Sequence, residues 1–307
     1  MQFEDSNKIG YVPEEKYGTS EYCQRCFKMM HYGKLEKSEK PKSVKAIVDT
    51  VNKNAKFVVF LVDFINVYDE VIEIFKSIKK PKILVVSKSD IIPENISFNQ
   101  IKSYLRVIYK IKEDIIFTNN KSNLNTLSKA LYGKEDVYFL GLTNAGKSTL
   151  INHLMEKENS ANKKLTTSYK ENTTLDFVRI KIGDLTIIDS PGFVMKHYEL
   201  DKNTNIDKVI KPITYQNKVS CTYTVSDFKI KIEGKTNAVF YFSKNVKIER
   251  LYNKEIIGTT FKVKGNRDIV ISGLGFIKLT DDAKITISED AMKYINIRPS
   301  ITGGNYE

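Results

Sequence analysis

Apolar residues along this chain change their spacing twice, and each change marks a region. From residue 1 to about residue 40 the sequence is polar and has neither a helical nor a strand period. Phe57-Val-Val-Phe-Leu-Val-Asp63 then opens an alternation of short continuous apolar runs with amphipathic stretches. Short continuous runs bounded by turn residues read as buried strands, and recurrences three and four apart read as helices. The pattern predicts a strand to Asp63, a helix around Tyr68 to Ile78, a strand from Ile83 to Val86, and a helix around Phe98 to Tyr109. It continues with a strand from Ile115 to Thr118, a helix around Leu124 to Leu131, a strand from Val137, and a helix from Gly146 to Lys157. Strands near Leu175 to Ile182 and Leu185 to Asp189 follow. Such alternation implies an α/β domain with a mostly parallel sheet covered by helices on both faces. Beyond about Asp201 the period falls to two, in Phe228–Glu233, Val239–Phe242, Val246–Tyr252, Phe261–Lys264 and Asp268–Ser272. A half-buried strand exposes every second residue, so this part is a separate β-rich domain. The expected division is an N-terminal segment 1–42, an α/β domain 43–202 and a β-rich domain 203–307.

A chain of 307 residues can bury two cores and carry a small appendage. Lys and Arg number 49 against 37 Asp and Glu, a net charge of +12. That excess suits a nucleic acid or another anionic partner, and it equally suits a solvated Lys-rich exterior, so charge alone does not choose. No apolar run approaches the ~20 residues that cross a bilayer, and Met1-Gln-Phe-Glu-Asp-Ser6 lacks the regions of a signal peptide. The expectation is a cytoplasmic protein without membrane attachment. Three cysteines are too few for a disulfide framework and point to thiols or metal ligands.

The strand at Val137 runs into Gly141-Leu-Thr-Asn-Ala-Gly-Lys-Ser-Thr149, a GxxxxGK[ST] phosphate loop. Backbone N–H groups of Gly141, Thr143, Asn144, Ala145 and Gly146 are placed to converge on phosphate oxygens. Lys147 neutralises charge, Ser148 offers its hydroxyl to Mg²⁺, and the loop ends at Thr149 at the positive end of a helix. Upstream, Ser87-Lys-Ser-Asp90 follows a strand and is the candidate guanine-reading loop. There Asp90 accepts from guanine N1–H and N2–H₂ while Lys88 lays its stem beside the base. Ser87 stands where Asn is usual, which removes one bracing hydrogen bond. Thr118-Asn-Asn-Lys121, also after a strand, is the second base loop, with Thr118 and Asn119 as its nucleotide-facing residues. Downstream, Thr174 is the switch threonine for Mg²⁺ and the γ-phosphate, with Thr173 as fallback; Asp189 reaches Mg²⁺ through water and Gly192 offers its N–H to the γ-phosphate. Lys147, Thr174 and Gly192 are thus the candidates that act on the transferred phosphate. The order of motifs is guanine loop, phosphate loop, switch threonine, DxxG, which is that of a circularly permuted GTPase. Phe193 follows the DxxG glycine where other GTPases use a glutamine to orient water; an apolar ring cannot polarise water, so intrinsic hydrolysis should be slow. Asn144 has two readings, a potassium ligand beside the phosphates or a turn-favouring residue.

Near the N-terminus, Tyr22-Cys-Gln-Arg-Cys-Phe27 supplies two thiolates from one turn, Cys23 and Cys26, half of what a structural zinc takes. His31 is a candidate third ligand, but the residues favour two free thiols over zinc. In the β-rich domain, Lys229, Lys231, Lys235, Lys247, Arg250, Lys262, Lys264 and Arg267 interleave with Phe228, Tyr241 and Tyr252. That spacing fits phosphate contacts with base stacking, and it also fits an ordinary sheet with rings in the core and Lys in solvent.

Taken with His31-Tyr32, Thr173-Thr-Leu-Asp176, Ile210-Lys-Pro212 and Ile271-Ser-Gly-Leu-Gly-Phe-Ile277, these motifs resemble the YqeH family of circularly permuted bacterial GTPases nearly end to end. The resemblance implies a GTPase that assists assembly of the small ribosomal subunit, with potassium-assisted hydrolysis and a hydrophobic residue in place of the catalytic glutamine. It implies a treble-clef zinc finger in front, whose first cysteine pair would fall just before Gln2, and an RNA-binding β domain behind. Relative to the family pattern, Ser87 replaces Asn and the stretch between Tyr252 and Asp268 is short. The fold expected is therefore a circularly permuted P-loop GTPase domain with a C-terminal β-rich domain and a short zinc-finger-like N-terminal remnant. The partners expected are ribosomal RNA and proteins of the small subunit. Two rival readings are an ATP-dependent P-loop enzyme in which Ser87–Asp90 is incidental, and a non-catalytic RNA-binding scaffold with weak nucleotide binding.

Overall fold

The computed structural model describes residue 14 and residues 43–119, 124–161, 169–171, 177–196, 209–252 and 254–303. Cys23, Cys26, His31, Thr173 and Thr174 lie outside the described residues. In chain order the first elements are α1 (Val44–Asn54), β1 (Phe57–Asp63), α2 (Asp69–Ser77), β2 (Lys82–Ser87), α3 (Phe98–Tyr109) and β3 (Ile115–Phe117). Next come α4 (Leu124–Leu131), β4 (Val137–Gly141), α5 (Lys147–Ala161), β5 (Tyr169–Glu171), β6 (Val178–Ile182) and β7 (Leu185–Asp189). The remainder is β8 (Ile213–Asn217), β9 (Cys221–Val225), β10 (Phe228–Glu233), β11 (Thr236–Phe242), β12 (Ile248–Tyr252) and β13 (Gly258–Val263), then β14 (Arg267–Ile271), β15 (Gly275–Leu279), β16 (Ala283–Ser288), the short α6 (Glu289–Met292) and β17 (Ile295–Pro299).

Strands β1 to β7 form one sheet in the order β3-β2-β1-β4-β7-β6-β5. The pairs β2–β3, β1–β4 and β4–β7 are parallel, and β6 pairs antiparallel with both β7 and β5. Runs of Val, Leu, Phe and Tyr in β1 and β4 leave these strands buried almost throughout, as a sheet covered on both faces requires. Helix ends follow local chemistry: Ser43 accepts from the Ala46 N–H at 3.2 Å at the start of α1, and Ser97 with Gln100 closes a capping box on α3. Helix α1 lies ahead of the first predicted element and buries Ile47, Val48 and Val51.

By compactness the described residues fall into two units. One takes the chain to Leu61, Ile78–Ile83 and Asn120–Val194; the other takes Val62–Ser77, Leu84–Asn119 and Met195 onward. The second unit contains two five-stranded antiparallel sheets, β12-β9-β10-β16-β13 and β17-β14-β15-β11-β8. Their alternating apolar residues meet in one core, with Tyr223, Ile230 and Ile285 from the first sheet and Phe240, Ile269 and Ile277 from the second. On the second sheet, Asp268 of β14 and Arg298 of β17 are directly opposed in register and both fully buried. Arg298 donates Nε–H to Asp268 at 3.1 Å and η1 hydrogens to the carbonyls of Ile65 at 3.1 Å and Val67 at 2.6 Å. Burial pushes the Asp268 carboxyl up, against the pull of the Arg298 charge and the Ile301 N–H. No helix among the described residues is long and apolar enough to cross a membrane.

Candidate functional site

The phosphate loop is built inside the first unit. It leaves β4 at Gly141 and enters α5 at Lys147, with Asn144 (φ 64°) and Gly146 (φ 84°) in left-handed backbone, the reversal that brings successive N–H groups to one side. The DxxG turn after β7 is stitched directly to it. The Phe193 N–H donates to the Gly141 carbonyl at 2.9 Å, and the Thr143 N–H donates to the Phe193 carbonyl at 2.9 Å. Gly192 allows that approach, since a Cβ there would meet Thr143 Cγ2 at 2.9 Å. Lys147, nearly buried, donates to the Asp189 carboxylate and to the Ser190 carbonyl, the latter at 2.5 Å. One ammonium thus serves the phosphate loop and the DxxG aspartate together. Removing either charge would leave the other buried without its partner.

Phe193 occupies a different place from the one a water-orienting residue would take. Its side chain is fully buried and stacks on Phe60, with ring centroids 5.9 Å apart and planes at 29°. Its backbone serves the nucleotide loop while its ring serves the core. Ser148 in the first turn of α5 and Asp189 at the end of β7 are hard oxygen donors of the same unit. That donor chemistry fits Mg²⁺, which takes one or two protein oxygens and completes its shell with water and phosphate. Among the described residues no cluster of three or more His, Cys, Asp or Glu could hold a metal by itself.

The candidate base loop, Ser87–Asp90, lies in the second unit. Lys88 has left-handed backbone (φ 53°) and starts a 3-10 turn over Ser89–Ile91, on which Asp90 is exposed. The candidate second base loop is bonded to it: the Thr118 N–H donates to the Val86 carbonyl at 2.9 Å, and the Ser89 N–H donates to the Thr118 carbonyl at 3.1 Å. Ser87–Asp90 and Thr118–Asn119 are therefore joined at two strand ends, where Ser87, Ser89 and Thr118 are buried and Asp90 is exposed. The Ser87 hydroxyl, where Asn is usual, donates to the Val62 carbonyl at 3.4 Å. The Lys88 ammonium lies 3.8 Å from Asp63, a buried carboxylate at the end of β1. Asp63 and its partner Asn66, at 2.7 Å, were not among the sequence candidates. Their signal was position, since Asp63 closes an apolar strand at the end where parallel sheets bind ligands.

In the β domain the interleaved cations and rings divide. Phe228 sits in the core, and Tyr241 is buried and stacked on Phe276 at 4.5 Å, whereas Tyr252 is exposed. Lys231 is held by Glu233 at 2.8 Å and Glu255 at 2.7 Å, and Lys247 by Glu249 at 2.7 Å. Arg250 donates to the Gln216 carbonyl at 2.9 Å and lies over Tyr252 at 4.8 Å. Lys229, Lys235, Lys262 and Lys264 are exposed.

Residues 34–199 match the sequence model of a family described as RsgA GTPase. Over 353 aligned positions the chain is 26% identical to a Bacillus subtilis (strain 168) protein named Uncharacterized protein YqeH, covering 98% of this chain and 96% of that one. It is 42% identical over 72 residues to the Small ribosomal subunit biogenesis GTPase RsgA of Limosilactobacillus fermentum, covering 23% of this chain and 24% of that protein. Among solved structures, the crystal structure of YjeQ from Thermotoga maritima aligns at 22% identity and a TM-score of 0.31, over 46% of this chain and 49% of that one.

Proposed function

The chain belongs to the RsgA GTPase family, and we propose that it hydrolyses GTP to GDP and phosphate as a cytoplasmic switch in assembly of the small ribosomal subunit. The observation that carries this reading is the Lys147 ammonium held jointly by Asp189 and Ser190, on a phosphate loop whose backbone is bonded to the DxxG turn. A γ-phosphate reaching Lys147 and the Gly192 N–H competes for contacts that otherwise tie these two loops together, so its loss on hydrolysis changes the DxxG turn. The family brings GTP, GDP and Mg²⁺, the ion supplying charge neutralisation at the β- and γ-phosphates. Here Ser148 and Asp189 would hold it, and Thr174 would add a hydroxyl. Gly141, Thr143, Asn144, Ala145, Gly146 and Thr149 cradle the phosphates, and Ser87, Lys88, Asp90, Thr118 and Asn119 read the base. In the reaction a water oxygen bonds to the γ-phosphorus while the bridging oxygen leaves with GDP, and both water protons depart with the phosphate, which is released as dihydrogen phosphate. With the Phe193 ring in the core, no side chain at that position orients the water, which supports slow intrinsic turnover. We assign Asn144, besides its left-handed turn, the side-chain carbonyl for a K⁺ ion beside the phosphates.

The relatives named as small ribosomal subunit biogenesis GTPases, with the +12 net charge, support ribosomal RNA and proteins of the small subunit as partners. In this reading residues 43–202 are the catalytic domain and 203–307 dock on the subunit, through exposed cations such as Lys229 and Lys262. Competition binding with GTP and ATP, followed by phosphate release with and without K⁺ and small subunits, tests the proposal. Guanine preference with stimulated release is expected. ATP preference would favour a P-loop enzyme of another kind, and binding without release would favour an RNA-binding scaffold.

A further inference from the structure

A chain of polar contacts, one ion pair followed by hydrogen bonds, runs from the base loop to a hairpin turn of the C-terminal strands, all within the second unit. Lys88 is only partly covered, 37% exposed, and its ammonium faces the Asp63 carboxylate at 3.8 Å, which is 2% exposed. A buried carboxylate must be met by donors. Asn66 supplies two: its backbone N–H reaches Asp63 Oδ1 at 3.0 Å and its side-chain Nδ2 reaches Oδ2 at 2.7 Å. The remaining side-chain atom, Asn66 Oδ1, accepts the Gly273 N–H at 3.0 Å. Gly273 lies in the turn between β14 and β15, and that turn is itself pinned. The Leu274 N–H donates to the Ile271 carbonyl at 2.9 Å, the Ser272 N–H to the Tyr294 carbonyl at 2.9 Å, and Asn296 Nδ2 to the Ser272 hydroxyl at 2.9 Å. On either side of Asn66, the carbonyls of Ile65 and Val67 are held by Arg298 from β17. The segment from Phe64 to Val67 is thus fixed at both flanks by the C-terminal strands and at its start by the base loop.

We infer that Asp63 and Asn66 are positioning residues for guanine recognition and that the β14–β15 turn sets their geometry. This rests on the reading of Ser87–Asp90 as the base loop. Lys88 has a left-handed backbone, which a non-glycine residue holds only where its surroundings impose it, so the direction of its stem depends on what holds its two ends. Asp63 holds the charged end, and Asn66 ties Asp63 to the turn. A partner that shifts the turn then changes the grip on the base without touching a phosphate contact. GTP and GDP must therefore respond equally, which separates this route from a γ-phosphate switch.

The test is equilibrium titration of the full chain with fluorescent GDP and, by competition, GTP and ADP. The proteins are the parent, Asp63→Asn, Asn66→Ala, Lys88→Ala and the pair Asp63→Asn with Lys88→Ala. Each single change is expected to raise Kd for GDP and GTP by the same factor, about three- to tenfold, as for a partly exposed charge contact and its support. If Asp63 acts through Lys88, the pair loses no more than Lys88→Ala alone, the mark of two residues in one chain of contacts. Additive losses in the pair would overturn the positioning role, because a merely structural aspartate would still matter once Lys88 is gone. Parental affinity in Asn66→Ala would overturn the link to the turn. Should Asn66→Ala fail to fold, Asn66→Ser, which keeps one polar atom at shorter reach, takes its place with the same two readings. A parent that binds GDP no better than ADP would instead overturn the base-loop reading beneath the inference.

Discussion

Replacing Phe193 separates a ring that packs from a ring that takes part in hydrolysis. The side chain is fully buried against Phe60, while the backbone N–H and carbonyl of the same residue hold Gly141 and Thr143. Truncating a buried aromatic to alanine removes its transfer free energy and leaves a cavity, together about 3–5 kcal/mol. Phe193→Leu keeps most of the volume and costs less than about 1.5 kcal/mol. For a cooperative unit of about 150–250 residues each kcal/mol lowers the melting midpoint by about 2–4 °C. The alanine variant should therefore melt roughly 6–20 °C below the parent and the leucine variant within about 6 °C of it. The apolar character of Phe193 says only that it cannot polarise water; the core position of the ring adds a packing role. Because the ring anchors the turn that holds the phosphate loop, nucleotide affinity of the alanine variant should fall with its stability and recover on cooling. The assay pairs thermal unfolding with single-turnover GTP hydrolysis, measured well below each variant's midpoint. A leucine variant with the parental midpoint and no hydrolysis would refute the packing role. So would an alanine variant that melts with the parent.

Other expectations follow from the same geometry. Asp90→Asn should weaken GTP and improve xanthosine triphosphate, because the new amide donates to the xanthine oxygen; unchanged GTP in competition binding would remove the guanine assignment. Lys147→Ala should abolish tight nucleotide binding by calorimetry and, by leaving Asp189 buried without its cation, destabilise by about 3–5 kcal/mol; parental values for both would contradict the pairing. Changing the exposed Lys229, Lys262 and Lys264 together to Glu should weaken small-subunit binding with GTP affinity unchanged. The salt dependence of that binding should flatten by roughly 0.7–0.9 in the log–log slope for each phosphate no longer neutralised, and an unaltered slope would move the docking surface elsewhere. Lys231→Glu should instead destabilise the fold, because it breaks the pairs with Glu233 and Glu255; weakened subunit binding at parental stability would argue otherwise.

Much of the α/β part was legible because a covered parallel sheet demands uninterrupted apolar runs, and Phe57–Asp63 and Val137–Gly141 supply them. Helix α1 was missed because its three buried residues are diluted by Lys45, Lys53 and other polar neighbours. Strand β8 was missed for a related reason: at a sheet edge only Asn217 of its five residues is buried, so no alternation survives. In β9 the buried positions include Thr222 and Tyr223, residues whose polarity hides a core strand. The site was readable where one motif carries it, as at Gly141–Thr149. It was unreadable where the partner is distant in sequence, as for Lys147 with Asp189, Asp268 with Arg298, and Asp63 with Lys88. Ion pairs of this kind come into being only through strand register and loop closure. Nor could composition tell that Lys231 is held by carboxylates while Lys229, two residues away on the strand, faces solvent.

The switch reading is tested most directly by co-sedimentation of the full chain with purified small ribosomal subunits in a non-hydrolysable GTP analogue, in GDP, and without nucleotide. If the DxxG turn and phosphate loop respond to the γ-phosphate, the three conditions give different subunit affinities, tightest with the GTP analogue. By linkage, saturating subunits must then tighten the GTP analogue by the same factor. Equal sedimentation in all three conditions would contradict the switch.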